Sequence, residues 1–334
     1  METTAHAPSR RAITHPAFAA LDLGTNNCRL LIAAPTTTGF RVLDSFSRVV
    51  RLGEGLHQSG QLSVDSMSRA MSALETCADR LSRRPSVRVR AIATEACRRA
   101  ANAPAFLSLV QRQTGLRFDV ISPREEAELA LESCAPLLQQ GGRRALLFDI
   151  GGGSTELVWV RLGAAAPALA GTISMPVGVV ALAERYGAAM FTAAGFEAMV
   201  AEITARLGAF EQIHCIGQEI AQGGVSLLGT SGTVTTLAGI ALGLACYQRP
   251  LVDGQVLTRA DAMAAVERLR AMGRDGLAAH PCVGPERTEF TLPGCAIFTA
   301  IQRKWPVPTL IVADRGLREG LLLRLMRNAA GRPA

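Results

Sequence analysis

The sequence predicts an α/β protein of two related lobes, each built on a mixed sheet, with a cleft between them. Two observations carry that expectation. The first is a repeat: an apolar strand ending in Asp, an Asp-x-Gly turn of small hydrogen-bonding residues, and a second apolar strand occur at residues 18–32 and again at residues 146–160, the pattern of a hairpin closed by turn chemistry. The second is the regular alternation of strand-like and helix-like runs after each copy.

The elements follow in order. Residues 1–15 are polar, with Pro8 and Arg10-Arg11, and read as a disordered leader. After the first hairpin, residues 40–50 alternate as a third strand. Residues 64–81 place apolar side chains at helical spacing and stop before Pro85, and residues 87–93 form a strand. A helix over 103–114 has Pro104 in its first turn. Residues 118–121 are a strand, and a helix over 123–135 is opened by Ser122 and a group of acids. The second hairpin is followed by helices around 181–186, 191–210 and 258–272. Between them, residues 225–233 read as a strand, a small-residue turn and the start of a helix running to 244, and a last helix follows Arg315.

The bulk composition narrows the chemistry. At 334 residues with 49% hydrophobic and 19% charged residues, the chain is long enough for two globular domains. Its net charge of +7 is carried almost wholly by arginine, Lys304 being the single lysine. A basic surface favours polyphosphate, nucleotide or nucleic acid, and base composition alone also enriches arginine. The scarcity of lysine excludes a lysine-bearing phosphate loop, a kinase-type strand lysine, and any Schiff base except at Lys304. The eight cysteines form no Cys-x-x-Cys pair or metal-ligand spacing, and their apolar neighbours suit buried thiols in a reducing cytoplasm. Asp22 interrupts the apolar stretch near the N-terminus and no later apolar run reaches spanning length, so a soluble cytoplasmic protein with no membrane partner is expected.

The two turns carry the chemistry. Gly-rich turns aim several backbone N–H groups at one point, a concavity suited to phosphate oxygens. An Asp beside a phosphate repels it unless a divalent cation lies between them. Asp22 and Asp149 in equivalent turns therefore predict a phosphate and Mg²⁺ (or Mn²⁺) site between the lobes; the alternative is that each Asp merely caps its turn. The junction Gly229-Thr230-Ser231-Gly232-Thr233 aims helix N–H groups at an anion or simply caps the helix. The five histidines show no ligand spacing.

Taken in order, Asp22-Leu23-Gly24-Thr25, Asp149-Ile150-Gly151-Gly152-Gly153-Ser154-Thr155-Glu156 and Gly229-Thr230-Ser231-Gly232-Thr233 resemble the superfamily of actin, Hsp70 and the sugar kinases, and specifically the Ppx/GppA phosphatases. Further matches are Arg51-Leu52-Gly53-Glu54-Gly55-Leu56, Ala93-Thr94-Glu95-Ala96-Cys97-Arg98, Val120-Ile121-Ser122-Pro123-Arg124-Glu125-Glu126-Ala127, Arg287-Thr288-Glu289 and Leu317-Arg318-Glu319-Gly320. The resemblance implies two actin-like (ribonuclease H-like) domains, residues 16–124 with 316–334 and residues 125–315. It implies an exopolyphosphatase releasing orthophosphate, with guanosine pentaphosphate (pppGpp) 5′-phosphohydrolase or a non-catalytic (p)ppGpp sensor as alternatives.

Roles carry over by position. Asp22 and Asp149 resemble the acids that organise Mg²⁺. Thr25, Asn26 and Arg29 match the first phosphate loop, and Gly151, Gly152, Gly153, Ser154 and Thr155 the second. Residues Gly229, Thr230, Ser231, Gly232 and Thr233 match a third. Arg98 matches an arginine reaching toward the scissile phosphate, Glu126 the glutamate that positions or deprotonates the attacking water, and Glu156 an acid beside the metal or the water. From the residues alone, Glu125 and Glu126 are equivalent, since both sit in a helix first turn where acids favour the dipole. The expected partners are polyphosphate or pppGpp, with no nucleic acid. Longer bacterial members carry a further all-helical region after these two domains, which is not expected in this chain, so a homodimer, if one forms, is not expected to be built through that region.

Overall fold

The computed structural model describes residues 16–84, 86–138, 142–163 and 166–331; the leader expected over residues 1–15 lies outside them. The first sheet contains β1 (Phe18–Leu23), β2 (Asn27–Thr36), β3 (Gly39–Val49), β4 (Arg88–Ala93) and β5 (Phe118–Val120), in the order β3-β2-β1-β4-β5. Strands β1, β2 and β3 are antiparallel neighbours, whereas β4 and β5 extend the sheet in parallel from β1. The second sheet contains β6 (Arg144–Ile150), β7 (Thr155–Arg161), β8 (Ala168–Met175), β9 (Val225–Thr230), β10 (Val256–Thr258) and β11 (Thr309–Ala313), in the order β10-β11-β9-β6-β7-β8. Its strands β8, β7, β6, β9 and β11 repeat the order and directions of the first sheet, and β10 is added at the edge, antiparallel to β11. The internal repeat visible in the sequence is thus a repeat of topology.

Each sheet is covered on both faces, as parallel strands require. One face of the first sheet packs Leu21, Leu30 and Ile32 against Ala70, Leu74 and Cys77 of the Val64–Ser82 helix and Phe106 and Val110 of the Ala103–Thr114 helix. Ser63 opens the former by accepting from the Ser66 N–H, an N-cap that satisfies an otherwise orphaned donor. The other face packs Phe18, Ala20 and Ile92 against Leu129 of the Pro123–Cys134 helix and Leu321 and Leu322 of the Leu317–Ala329 helix. The Pro123–Cys134 helix turns its opposite stripe, Ala127, Ala130, Leu131 and Cys134, onto Leu147, Val158 and Leu228 of the second sheet. One helix thereby lies between the two sheets, and its first turn reaches the line where they meet.

The largest cluster lies on the remaining face of the second sheet, where Phe148 and Trp159 meet the Ala193–His214, Gly232–Ala241, Arg259–Ala271 and Thr288–Lys304 helices. The Thr288–Lys304 helix, together with β8 and β11, is absent from the expectations above. It is buried on nearly every side and contains Pro293, so it shows neither a one-sided apolar stripe nor an uninterrupted helical composition. All eight cysteines are free thiols. Six are buried as expected, whereas Cys215 and Cys246 are exposed; Cys215 sits at the left-handed end of the Ala193–His214 helix, outside the core. Among the described residues no helix is long and apolar enough to cross a membrane.

Candidate active site

The C-terminal ends of β1 and β6 face one another across a cavity of about 490 Å³ whose lining includes Asp22, Arg29, Glu126 and Asp149. Asp22 closes β1 in register with Arg29 on β2. Asp149 occupies the equivalent place on β6, between Glu156 on β7 and Thr230 on β9. The hairpins bring both acids to the same place because Asp-x-Gly turns end both strands at corresponding positions.

The turns after these strands interlock. Thr25, Asn26, Gly151, Gly152, Gly153 and Ser154 all line the cavity. A Cβ on Gly153 would stand 2.6 Å from Thr25 Oγ1 and 3.1 Å from Glu95 Cγ, and one on Gly152 would stand 3.1 Å from Asn26 Cβ. The glycines are thus required by the approach of one lobe's loop to the other's. Thr155 points elsewhere: it is buried and its hydroxyl donates to the Val177 carbonyl at 2.7 Å, so this member of the second loop secures the strand and does not face the cavity.

Glu126 enters from the Pro123–Cys134 helix, whose N-cap Ser122 accepts from the Glu125 N–H. The helix turns Glu126 inward and Glu125 outward. Glu125 pairs with Arg90 at 2.8 Å and faces Arg324 at 3.5 Å, whereas Glu126 is only 7% exposed and lines the cavity. Arg98 Nη1 donates to Glu126 Oε2 at 2.7 Å and to the Ile121 carbonyl at 3.0 Å. Its Nε and Nη2 donate to Glu95 Oε2 at 3.2 and 2.9 Å. Arg98 therefore stands behind Glu126 and is not among the lining residues; its donors are taken by two carboxylates and a carbonyl.

Asp22, Glu126 and Asp149 line the cavity, whereas Glu156 is buried beside Asp149 and is not among the lining residues; all four are shifted upward. Burial pushes Glu126 up to about 8, with Glu156 adding to the push and Arg98 opposing it. Burial likewise lifts Asp149 to about 7, helped by Glu126. Glu156 also rises to about 7 through burial and Asp149, although Ser154 and Ser174 donate hydroxyls to its Oε1 at 2.6 and 2.8 Å. Asp22 is raised by burial against the lowering influence of Arg29 and Arg318.

The donor set suits a hard divalent cation. Asp22 Oδ1 and Asn26 Oδ1 are buried without a hydrogen-bond partner among the described residues, an arrangement that costs free energy unless something else satisfies them. Among the described residues no three His, Cys, Asp or Glu side chains converge closely enough to hold a metal by themselves. Mg²⁺ bound through one or two carboxylates, with substrate phosphates and water completing its shell, needs no such cluster.

The third junction divides. Thr230, Ser231, Gly232 and Thr233 line the cavity, but Gly229 does not: a Cβ there would stand 2.4 Å from the Phe148 ring, so core packing explains this glycine. Thr230 Oγ1 donates to the Arg315 carbonyl at 2.6 Å. Ser231, at φ 126°, accepts from the Thr233 and Val234 N–H groups, capping the helix itself. Three arginines that the sequence left without a role also line the cavity, Arg287, Arg315 and Arg318. Arg287 donates to the Gly232 carbonyl and, at 2.5 Å, to Thr236 Oγ1; burial and nearby Arg29 lower its pKa. Arg287 and Arg318 belong to the matched motifs, which marked the positions but not their convergence on the cavity, whereas Arg315 lies outside them and pairs with Asp253.

The Ppx/GppA phosphatase family matches residues 31–329. The chain belongs to that family. A guanosine-5′-triphosphate,3′-diphosphate pyrophosphatase of Photobacterium profundum is 33% identical over 312 residues, which is 93% of this chain. The chain spans 59% of the length of that relative. The Ppx/GppA family member of Aquifex aeolicus has a TM-score of 0.77 at 27% identity, covering 94% of this chain and 98% of the other. An exopolyphosphatase from Cytophaga hutchinsonii, at 21% identity and covering 95% of this chain and 99% of its own, shares the fold with a TM-score of 0.82. The two actin-like mixed sheets and the cleft between them are thus the fold of this Ppx/GppA protein.

Proposed function

We propose that the cleft hydrolyses terminal phosphoanhydride bonds, with inorganic polyphosphate as substrate and orthophosphate as product. The observation that carries this reading is the placement of Glu126: a carboxylate raised to about 8, inside a cavity it shares with Asp22, Asp149 and two Gly-rich loops. Phosphoanhydride hydrolysis needs charge neutralisation around the transferred phosphoryl, an aligned water and a group to take its proton. In this reading Glu126 accepts that proton as the water oxygen bonds to the terminal phosphorus and the bridging P–O bond breaks, the shortened chain leaving with its oxygen anionic. Thr25, Asn26, Arg29 and the Gly151–Ser154 backbone hold phosphate oxygens. Asp22 and Asp149 would hold Mg²⁺ (or Mn²⁺), which supplies charge neutralisation when bound. Glu156 keeps its carboxylate oriented through the two serine hydroxyls.

Arg98 positions Glu126 in this scheme. The two lobes, residues 16–124 with 316–334 and residues 125–315, close on the substrate in the cytoplasm, with or without a second copy of the chain. The second reading, pppGpp 5′-phosphohydrolysis, is favoured by the name of the Photobacterium relative.

The deciding experiment is phosphate release from long polyphosphate, short polyphosphate, pppGpp and ATP, measured side by side with Mg²⁺. Catalytic efficiency on polyphosphate should exceed that on pppGpp by about tenfold, a difference of about 1.4 kcal/mol. It should also fall more steeply with salt, because a longer polyanion releases more counterions on binding. Equal or reversed efficiency assigns the protein to pppGpp, and no release from any substrate overturns the hydrolase reading.

A further inference from the structure

We infer that Glu95 is a positioning residue that holds the Arg98 guanidinium in the one orientation from which it can set Glu126; the inference rests on the reading of Glu126 as proton acceptor. Glu95 opens the short Glu95–Arg99 helix that follows β4. Its Oε2 receives two Arg98 donors, Nε and Nη2, from the same edge of the guanidinium. That contact fixes the plane of the group and leaves Nη1 directed at Glu126 Oε2 and the Ile121 carbonyl. A planar fork held along one edge presents its remaining donors in a set direction, which a single contact to Glu126 would not achieve.

Burial separates this triad from an ordinary helix-surface pair. The side chains of Glu95, Arg98 and Glu126 are 12%, 14% and 9% exposed, far from the solvent that makes exposed ion pairs weak. Glu95 also lines the cavity, and its Cγ lies 3.1 Å from where a Cβ on Gly153 would stand. The stem of Glu95 therefore rests on the second lobe's loop while its carboxylate holds the arginine behind Glu126.

The test uses Glu95→Gln and Glu95→Asp in the full chain. In Glu95→Gln, kcat for short polyphosphate should fall about tenfold or more with KM within about twofold, the signature of an interaction needed only in the transition state. Glu95→Asp should recover part of the loss. In a Glu126→Gln background the same change should have no further effect, since residues acting as a unit are non-additive. A rise in KM alone, or additive losses, would overturn the inference. An independent readout is hydrogen exchange at the Arg98 Nε–H, observed by ¹⁵N NMR and assigned by its disappearance in Arg98→Lys. It should be slow in the wild type and much faster in Glu95→Gln. Unchanged exchange would exclude the tether whatever the enzyme hydrolyses. If the wild type releases no phosphate from any substrate while the exchange result holds, the hydrolase reading fails and the tether stands.

Discussion

Asp149 and Glu156 stand directly opposite one another where β6 pairs with β7. Like charges so placed repel across a strand pair, and burial raises both to about 7. The sheet therefore keeps protons at this point that an unfolded chain would release.

The pH dependence of stability follows from that. With folded values of about 7 for Asp149 and Glu156 and about 8 for Glu126, against ordinary carboxylate values near 4 in the unfolded chain, the folded state binds more protons across that window. Its stability falls as pH rises from about 5 to 8. The lowered acids Asp253, Glu202 and Glu197 act below that range. Thermal melts in EDTA should show a decreasing Tm from pH 5 to 8, and the slope should flatten in Asp149→Asn. A Tm that climbs with pH would contradict the assignment. Added Mg²⁺ should raise the Tm most at the alkaline end, where the carboxylates are ionised.

The two neighbouring glutamates should separate completely. Glu126→Gln keeps the shape of the side chain and removes its ability to take a proton, so hydrolysis should fall by about a hundredfold or more. Glu125→Gln, outside the cavity and paired with Arg90, should stay close to wild type in phosphate release. Loss in Glu125→Gln alone would move the acceptor one residue back.

Arg29 lines the cavity, and its charge favours the ionised forms of Asp22 and Asp149. Arg29→Ala should raise KM for polyphosphate by about tenfold or more, the scale of a lost charge-assisted contact. An unaltered KM would remove Arg29 from the phosphate site.

Gly229→Ala tests the opposite case. The added methyl meets the Phe148 ring, and overpacking of this kind costs about 1–3 kcal/mol. Urea denaturation should show the loss, while KM of the folded fraction should not move. A raised KM without loss of stability would return Gly229 to the phosphate site.

Much of this was legible in one dimension because it depends on local chemistry. Asp-x-Gly turns after apolar runs announce both hairpins, and the positions of Asp22 and Asp149 within those hairpins put them at equivalent strand ends. Ser122 and the acids after it announce the helix that carries Glu126. Buried elements without a one-sided pattern, such as the Thr288–Lys304 helix and β11, were not legible, since periodicity appears only where one face meets water.

The sequence by itself determined the repeated turns, the acids within them and the glycines beside them, because each answers to the backbone within a few residues. Only the tertiary structure decided which of these groups face the cavity. Glu125 and Glu126 are adjacent in the chain and divided by the rotation of one helix packed between two sheets. Arg98 and Thr155 belong to matching motifs, yet their donors are spent on Glu95, Glu126 and the Val177 carbonyl. Gly229 is a glycine for the sake of Phe148. Such outcomes depend on partners brought from distant parts of the chain, since a side chain's role is set by which donors, acceptors and volumes meet it after the lobes have packed.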